Sequence, residues 1–238
     1  MQSAITSHVH VEQHGSHVVV VELHGGPQNR LSTGFLAQIK ATARDLAAGP
    51  PRAVVIWGGD AVFSRGGDPT EFVHYDPAVG KLLSEAFHEA IDAVAAIPCP
   101  TIAAITGAAL GGGCELAVAC DFRISADNAE FGQPEINVGA FPGGGGTQRL
   151  PRLIGSSAAK ELIFLGEPIS AQRALDVGLV NRLCRPTEVL QTAMAWATKI
   201  SDKPVRSITL AKRAIDGGLG GSLGDGLALE QSLFPTLF

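Results

Sequence analysis

The chain has 238 residues, 45% of them hydrophobic and 17% charged, with a formal net charge of −5. That composition fills the core of one globular domain and supplies no basic field for a phosphate backbone, which excludes nucleic acid as a natural partner. The four cysteines, Cys99, Cys114, Cys120 and Cys184, have neither paired C-x-x-C spacing nor the density of a disulfide scaffold, so buried thiols are expected.

The opening stretch MQSAITSHVHVEQHG carries no secretory or transit pattern, which leaves the cytoplasm as the expected location. Residues 17–23 form a β-branched run suited to a strand, and the alternation of His8, Val9, His10 and Val11 predicts a partner strand with one wet face. Five histidines fall between His8 and His24. No carboxylate or cysteine cluster joins them at ligand spacing, so they are read as exposed strand residues and no metal is expected. Ser32 can cap a helix with apolar positions Phe35, Leu36, Ile39, Ala43 and Leu46, stopped at Gly49. Residues 53–57 read as a buried strand. A second amphipathic helix fits 81–97, with Leu83, Phe87, Ala90, Ile91 and Val94 on one face and Pro98 as its end.

Residues 101–106 return as a strand. A triple-glycine turn at 111–113 then leads into a short helix over 114–119 and a strand over 122–125. The apolar stretch 98–120 is not a membrane span, because two prolines, several glycines and Glu115 interrupt it. Strands and helices alternate, so the class is α/β. Beyond Gly155 the sequence turns helical, with Ser170 capping 171–177 and longer helices over 189–200 and 205–215. A single domain over 1–238 is expected, with a core over about 1–185 and a helical module over about 186–238.

Three glycines ahead of a helix are informative, because the first helical turn has unpaired N–H groups and the positive end of the dipole. Gly112 can bring its N–H close to a ligand oxygen, and a second donor can come from Gly66-Gly67. Tight turns alone would also explain these glycines. Gly143–Gly146 is followed by Thr147-Gln148, so the phosphate lysine of a P-loop is missing. Glu115 sits within an apolar helix, where an ionised carboxylate is costly unless paired or used. Glu135, after Phe131-Gly132-Gln133-Pro134, is a second sheltered carboxylate, although a surface position also fits it. No G-x-S-x-G occurs, which sets serine hydrolase chemistry aside.

Residues 102–119, IAAITGAALGGGCELAVA, and 131–150, FGQPEINVGAFPGGGGTQRL, resemble the enoyl-CoA hydratase/isomerase (crotonase) family, and most closely its hydratases. The resemblance runs from the first strand to about Glu230. It implies a crotonase-like spiral of ββα units with two nearly perpendicular sheets and a helical C-terminal module, assembled as a homotrimer or homohexamer. It implies that the N–H groups of Gly67 and Gly112 form an oxyanion hole for a thioester carbonyl. It also implies that Glu115 and Glu135 face the substrate double bond. Both glutamates together favour hydration of a trans-2-enoyl-CoA to a 3-hydroxyacyl-CoA, a lyase step in fatty-acid or related acyl-CoA degradation. Coenzyme A enters with the substrate, and neither a separate cofactor nor a metal is implied.

The segment FSRGGDP departs from the commoner F-S-A-G-A-D-L, and Arg30 stands where alanine is usual. Arg65 could meet a phosphate of coenzyme A or pair with Asp68 or Glu71. Arg30, Arg65, Gly66, Asp68 and Gly143 are therefore expected to border the substrate, Gly143 by leaving room beside the attacking water. Residues 71–83 vary widely in the family and leave the acyl preference unread. The C-terminal module is expected to be shorter than usual. Competing readings are another reaction of the family (isomerase, hydrolase or other lyase) and a non-catalytic acyl-CoA-binding subunit.

Overall fold

The computed structural model describes residues 7–72 and 76–238. The leader reading of residues 1–6 and the part of the variable 71–83 segment at 73–75 lie outside the described residues. The chain begins with an antiparallel hairpin of β1 (His8–His14) and β2 (Val18–His24), paired from His8↔His24 to His14↔Val18. Gly15 turns it at φ 62°, a conformation open to glycine. Nearly all of β1 is exposed, so both its faces are wet rather than one, as befits the edge strand it is.

Helix α1 (Thr33–Ala48) starts where expected, with Ser32 Oγ accepting from Phe35 N at 3.2 Å. β3 (Ala53–Trp57) comes next. Helix α2 (Pro77–Ala95) begins four residues before the expected start. Asp76 caps it, accepting from Ala78 N at 2.7 Å, and Pro77 supplies a first-turn residue with no N–H to satisfy. Beyond it lie β4 (Thr101–Ile105), β5 (Ala108–Leu110), α3 (Gly112–Ala119), β6 (Phe122–Ala126) and β7 (Glu130–Gly132). Helix α4 (Gly146–Leu165) bends at Gly155, whose φ of 80° and ψ of 156° are not helical. Its first half escapes a propensity reading because glycine and Pro151 are poor helix formers. The chain continues through β8 (Ile169–Ser170), α5 (Ala171–Asp176), β9 (Arg182–Cys184), α6 (Val189–Ser201), α7 (Val205–Leu219) and α8 (Leu223–Leu233).

Two sheets result. One has the order β1-β2-β3-β4-β6-β9, parallel beyond the first hairpin, and the other the order β5-β7-β8. Strands β3 and β4 are buried almost throughout, which is why they read as continuous apolar runs. After β4 and again after β6 the chain leaves the first sheet for the second, then enters a helix or 3-10 turn. β5 and β7 pair in parallel, Ala108↔Glu130 to Leu110↔Gly132. This pairing sets the turn into α3 beside the segment that leaves β7.

The glycine-rich 217–226 segment has a packing role. A Cβ on Gly218 or Gly226 would lie 3.4 or 3.2 Å from the other's Cα, so α7 and α8 meet at glycine backbones. The outer faces of these helices leave Ile215, Leu219, Leu223 and Leu227 exposed. Among the described residues no helix is long and apolar enough to cross a membrane. The cysteines are free, three of them buried and Cys184 partly so.

Candidate active site

The β5–β7 register sets the site. Gly111 N donates to Gly132 O at 2.9 Å, which brings the turn before α3 against the segment that carries Glu135. Gly111 itself is left-handed, φ 53°, and a Cβ there would sit 2.8 Å from Glu135 Oε1. Glu115 lies in the first turn of α3 and Glu135 in a 3-10 turn over Pro134–Val138.

Glu115 is 2% exposed. Its Oε1 accepts from Gly144 N at 2.8 Å and Gly146 N at 2.7 Å, so the 143–146 glycine run serves as a cradle for this carboxylate. Burial pushes the Glu115 pKa up, while the two N–H bonds, His88 and Arg149 pull it down. A Cβ on Gly144 would lie 2.8 Å from both Glu115 Oε2 and Ile91 Cδ1. Gly143, by contrast, has only ordinary contacts around its Cβ position, and its carbonyl accepts from Ser84 Oγ at 2.8 Å.

Burial pushes the half-buried Glu135 up to about 7; its own backbone N–H lowers it and the nearby Glu115 charge adds to the rise. Gln133, fully buried, donates to both Glu135 oxygens, at 3.1 and 3.2 Å, in the amide orientation that satisfies both side chains. Cys114 directly precedes Glu115 and feels the charges of both acids, and burial raises its thiol to about 12, which leaves it inert at neutral pH.

The two candidate donor glycines, Gly67 and Gly112, meet at one aromatic ring. A Cβ on Gly112 would overlap Phe87, and one on Gly67 would lie 3.4 Å from Phe87 Cζ and 2.7 Å from Phe72 Cε2. Gly66, at φ 79°, would place a Cβ 3.0 Å from Gly112 N. Among the described residues neither the Gly67 nor the Gly112 N–H has an acceptor. The far end of α3 is held by the buried Arg123, which donates to Cys120 O at 2.6 Å, Ala117 O at 3.3 Å and Leu179 O at 2.6 Å. A cation there complements the helix dipole whose positive end is at Gly112.

The structure thus gathers Gly66, Gly67, Gly112, Glu115, Glu135 and Gly143. Arg30 and Arg65 lie at the edge of this group. Arg65 makes no ion pair among the described residues. The alternative of pairing with Asp68 or Glu71 does not form, since the Glu71 carboxylate binds Thr33 N at 2.9 Å and Asp68 Oδ1 binds Thr70 N at 3.0 Å.

Sequence reasoning missed several residues that build the site. Asn29, left-handed at φ 44° and 2% exposed, donates to Gly58 O, Val62 O and Phe63 O and accepts from Gly25 N at 2.6 Å. Ser64 Oγ links Asn29 O (2.7 Å) to Gly66 N (3.1 Å). Arg149 grips Asp92 at 2.5 Å and Gly144 O at 3.2 Å. Only Asn29 left a local trace, as a residue type that tolerates the left-handed region. A cavity of about 650 Å³ lies elsewhere, between the end of α3, α4 and α7, over the Lys212–Asp121 ion pair of 2.6 Å.

The profile of the enoyl-CoA hydratase/isomerase family matches residues 13–238, and the chain belongs to that family. It is 40% identical over 213 residues to a probable enoyl-CoA hydratase, echA17, of Mycolicibacterium paratuberculosis, covering 89% of this chain and 83% of the relative. It is also 40% identical over 187 residues to the short-chain-enoyl-CoA hydratase of Clostridium acetobutylicum, covering 78% and 72%. The solved enoyl-CoA hydratase of Bacillus anthracis superposes with a TM-score of 0.91 at 36% identity, over 95% of this chain and 89% of that one. The crotonase fold expected from the motifs is therefore the fold observed.

Proposed function

We propose that this protein is an enoyl-CoA hydratase that adds water to a trans-2-enoyl-CoA. The observation that carries the reading is the asymmetry of two adjoining carboxyl groups. Glu115 has one oxygen bonded by two backbone N–H groups and the other unbonded by any described residue, while the Glu135 carboxyl is raised to about 7. One acid can hold the proton that the other lacks.

In this scheme the thioester carbonyl accepts from Gly67 and Gly112 N–H, which stabilise the charge that builds on its oxygen. Glu115 Oε2 orients a water and takes its proton as the oxygen bonds to C3. The C2=C3 π pair moves to C2 and accepts the Glu135 proton, giving the 3-hydroxyacyl-CoA. Proton transfer back from Glu115 to Glu135 completes the cycle. Hydration is redox-neutral and both proton carriers are carboxyl groups, so the scheme calls on no cofactor beyond the coenzyme A of the substrate. Arg65, exposed and free of ion pairs among the described residues, is in this reading the group that meets a phosphate of that coenzyme A.

The uncovered apolar faces of α7 and α8 support self-association, as a homotrimer or homohexamer. Free thiols favour a reducing compartment, here the cytoplasm. The test is loss of conjugated enoyl absorbance with crotonyl-CoA, a longer enoyl-CoA and an aromatic one, with product mass read alongside. A gain of one water, abolished by Glu115→Gln and by Glu135→Gln, supports hydration. Conversion of a 3-enoyl-CoA with no hydration of any 2-enoyl-CoA would replace it with isomerisation.

A further inference from the structure

The loop that presents Gly67 contains two successive glycines, and peptides between glycines rotate easily. Something outside the loop must fix the direction of the Gly67 N–H. Three consecutive carbonyls of the loop, those of Arg65, Gly66 and Gly67, all accept from residues 30 and 31. Arg30 Nη1 donates to Arg65 O at 2.7 Å and Gly67 O at 3.3 Å, and Leu31 N donates to Gly66 O at 2.9 Å. Arg30 Nε is in turn steadied by Gln28 Oε1 at 3.0 Å, and Gln28 O accepts from Arg65 N at 3.0 Å.

The peptide joining Gly66 to Gly67 is trans, like every described peptide, so its N–H points opposite to its C=O. With the Gly66 carbonyl bound to Leu31, the Gly67 N–H faces away from Leu31. The guanidinium pins the peptides on either side, which stops this one from turning over. We propose that Arg30 is a positioning residue for the Gly67 oxyanion donor, acting through the loop carbonyls and not by contact with substrate. The inference rests on the hydratase reading for its rate consequence, although its geometry does not.

The alternative is that Arg30 holds a phosphate of coenzyme A, and the two roles separate by substrate. Arg30→Ala and Arg30→Lys are assayed with crotonyl-CoA and with crotonyl-pantetheine, which lacks the nucleotide phosphates. Outright loss of an oxyanion donor typically lowers kcat about 10²–10³-fold, so a loosened one should lower it about 10–100-fold. The expected result for Arg30→Ala is that fall in kcat, equal on both substrates and with little change in KM. Arg30→Lys, with one compact donor group in place of the fork, should recover only part of it. A defect confined to the CoA thioester and carried by KM, or no defect at all, overturns the proposal.

A readout free of turnover is the absorbance of a bound aromatic enoyl thioester, which moves to the red as its carbonyl is polarised. Wild type should show the shift and Arg30→Ala should lose most of it, whereas an unchanged shift in Arg30→Ala overturns the proposal. Wild type that gives the shift but hydrates nothing would refute the hydratase reading and leave the positioning role standing. If Arg30→Ala does not fold, Arg30→Gln, which drops the charge and keeps a single donor group, is judged by the same outcomes.

Discussion

Gln133 donates its amide to both oxygens of Glu135, at 3.1 and 3.2 Å. Donors to a carboxylate favour its ionised form, so this amide opposes the burial that raises the Glu135 pKa. Replacing it with leucine removes the donors and leaves the apolar surroundings. In Gln133→Leu the Glu135 pKa should rise further, so the acid form persists to higher pH. The alkaline limb of the kcat/KM profile, which reports loss of the Glu135 proton, should move upward by about one unit. A limb that stays in place would detach Glu135 from that ionisation.

The same carboxyl links stability to pH. Its folded pKa of about 7 lies above the ordinary 4.5, so between those values the folded chain holds a proton that the unfolded chain has released. Stability from this group is fully present below about 4.5 and is lost as pH rises through about 7. Glu135→Gln removes the penalty of ionising a buried group. It should therefore be the more stable protein at pH 8, by on the order of 2 kcal/mol after allowance for partial exposure, and the gap should close toward pH 4. Urea titrations of the two proteins at both pH values check the sign.

Gly112 faces Phe87 with no room for a methyl group. Gly112→Ala should lose about 1–3 kcal/mol of stability through overpacking, and kcat should fall about 10²–10³-fold as the donor is displaced. Adding Phe87→Leu should restore most of the melting temperature. Recovery of stability without recovery of kcat would separate the packing role of the ring from the position of the N–H.

Asn29 joins backbone conformation to long-range hydrogen bonding. Asn29→Ala should destabilise the chain by about 3 kcal/mol, the sum of a left-handed residue without a local bond and of buried carbonyls left unpaired. Asn29→Gly should recover about 1 kcal/mol of that, since it relieves the backbone alone. Equal losses in the two variants would remove the conformational part of the account.

Much of the secondary structure was legible because its signals are local. Ser32 and Ser170 cap where expected, and β3 and β4 announce themselves as apolar runs. Glu115 stood out as a charge in an apolar helix, whereas nothing local separated Glu135 from a surface residue. What stayed hidden was whatever depends on register between distant segments. The β5–β7 pairing brings Gly111 to Glu135, and tertiary packing brings the glycine run at 143–146 to Glu115 and residues 30–31 to the loop at 65–67. No window of sequence contains those pairs. The half of α4 before Gly155 was hidden for another reason, since helical structure there overrides residues that resist it.

The two N–H groups of Gly144 and Gly146 occupy the same oxygen of Glu115. On the proposed reaction, only Oε2 remains to guide the incoming water. A flat enoyl group clamped through its carbonyl by two fixed N–H groups offers that water one face. The new alcohol carbon is then a stereocentre of single hand, and its configuration is written into two glycine amides that never touch the substrate.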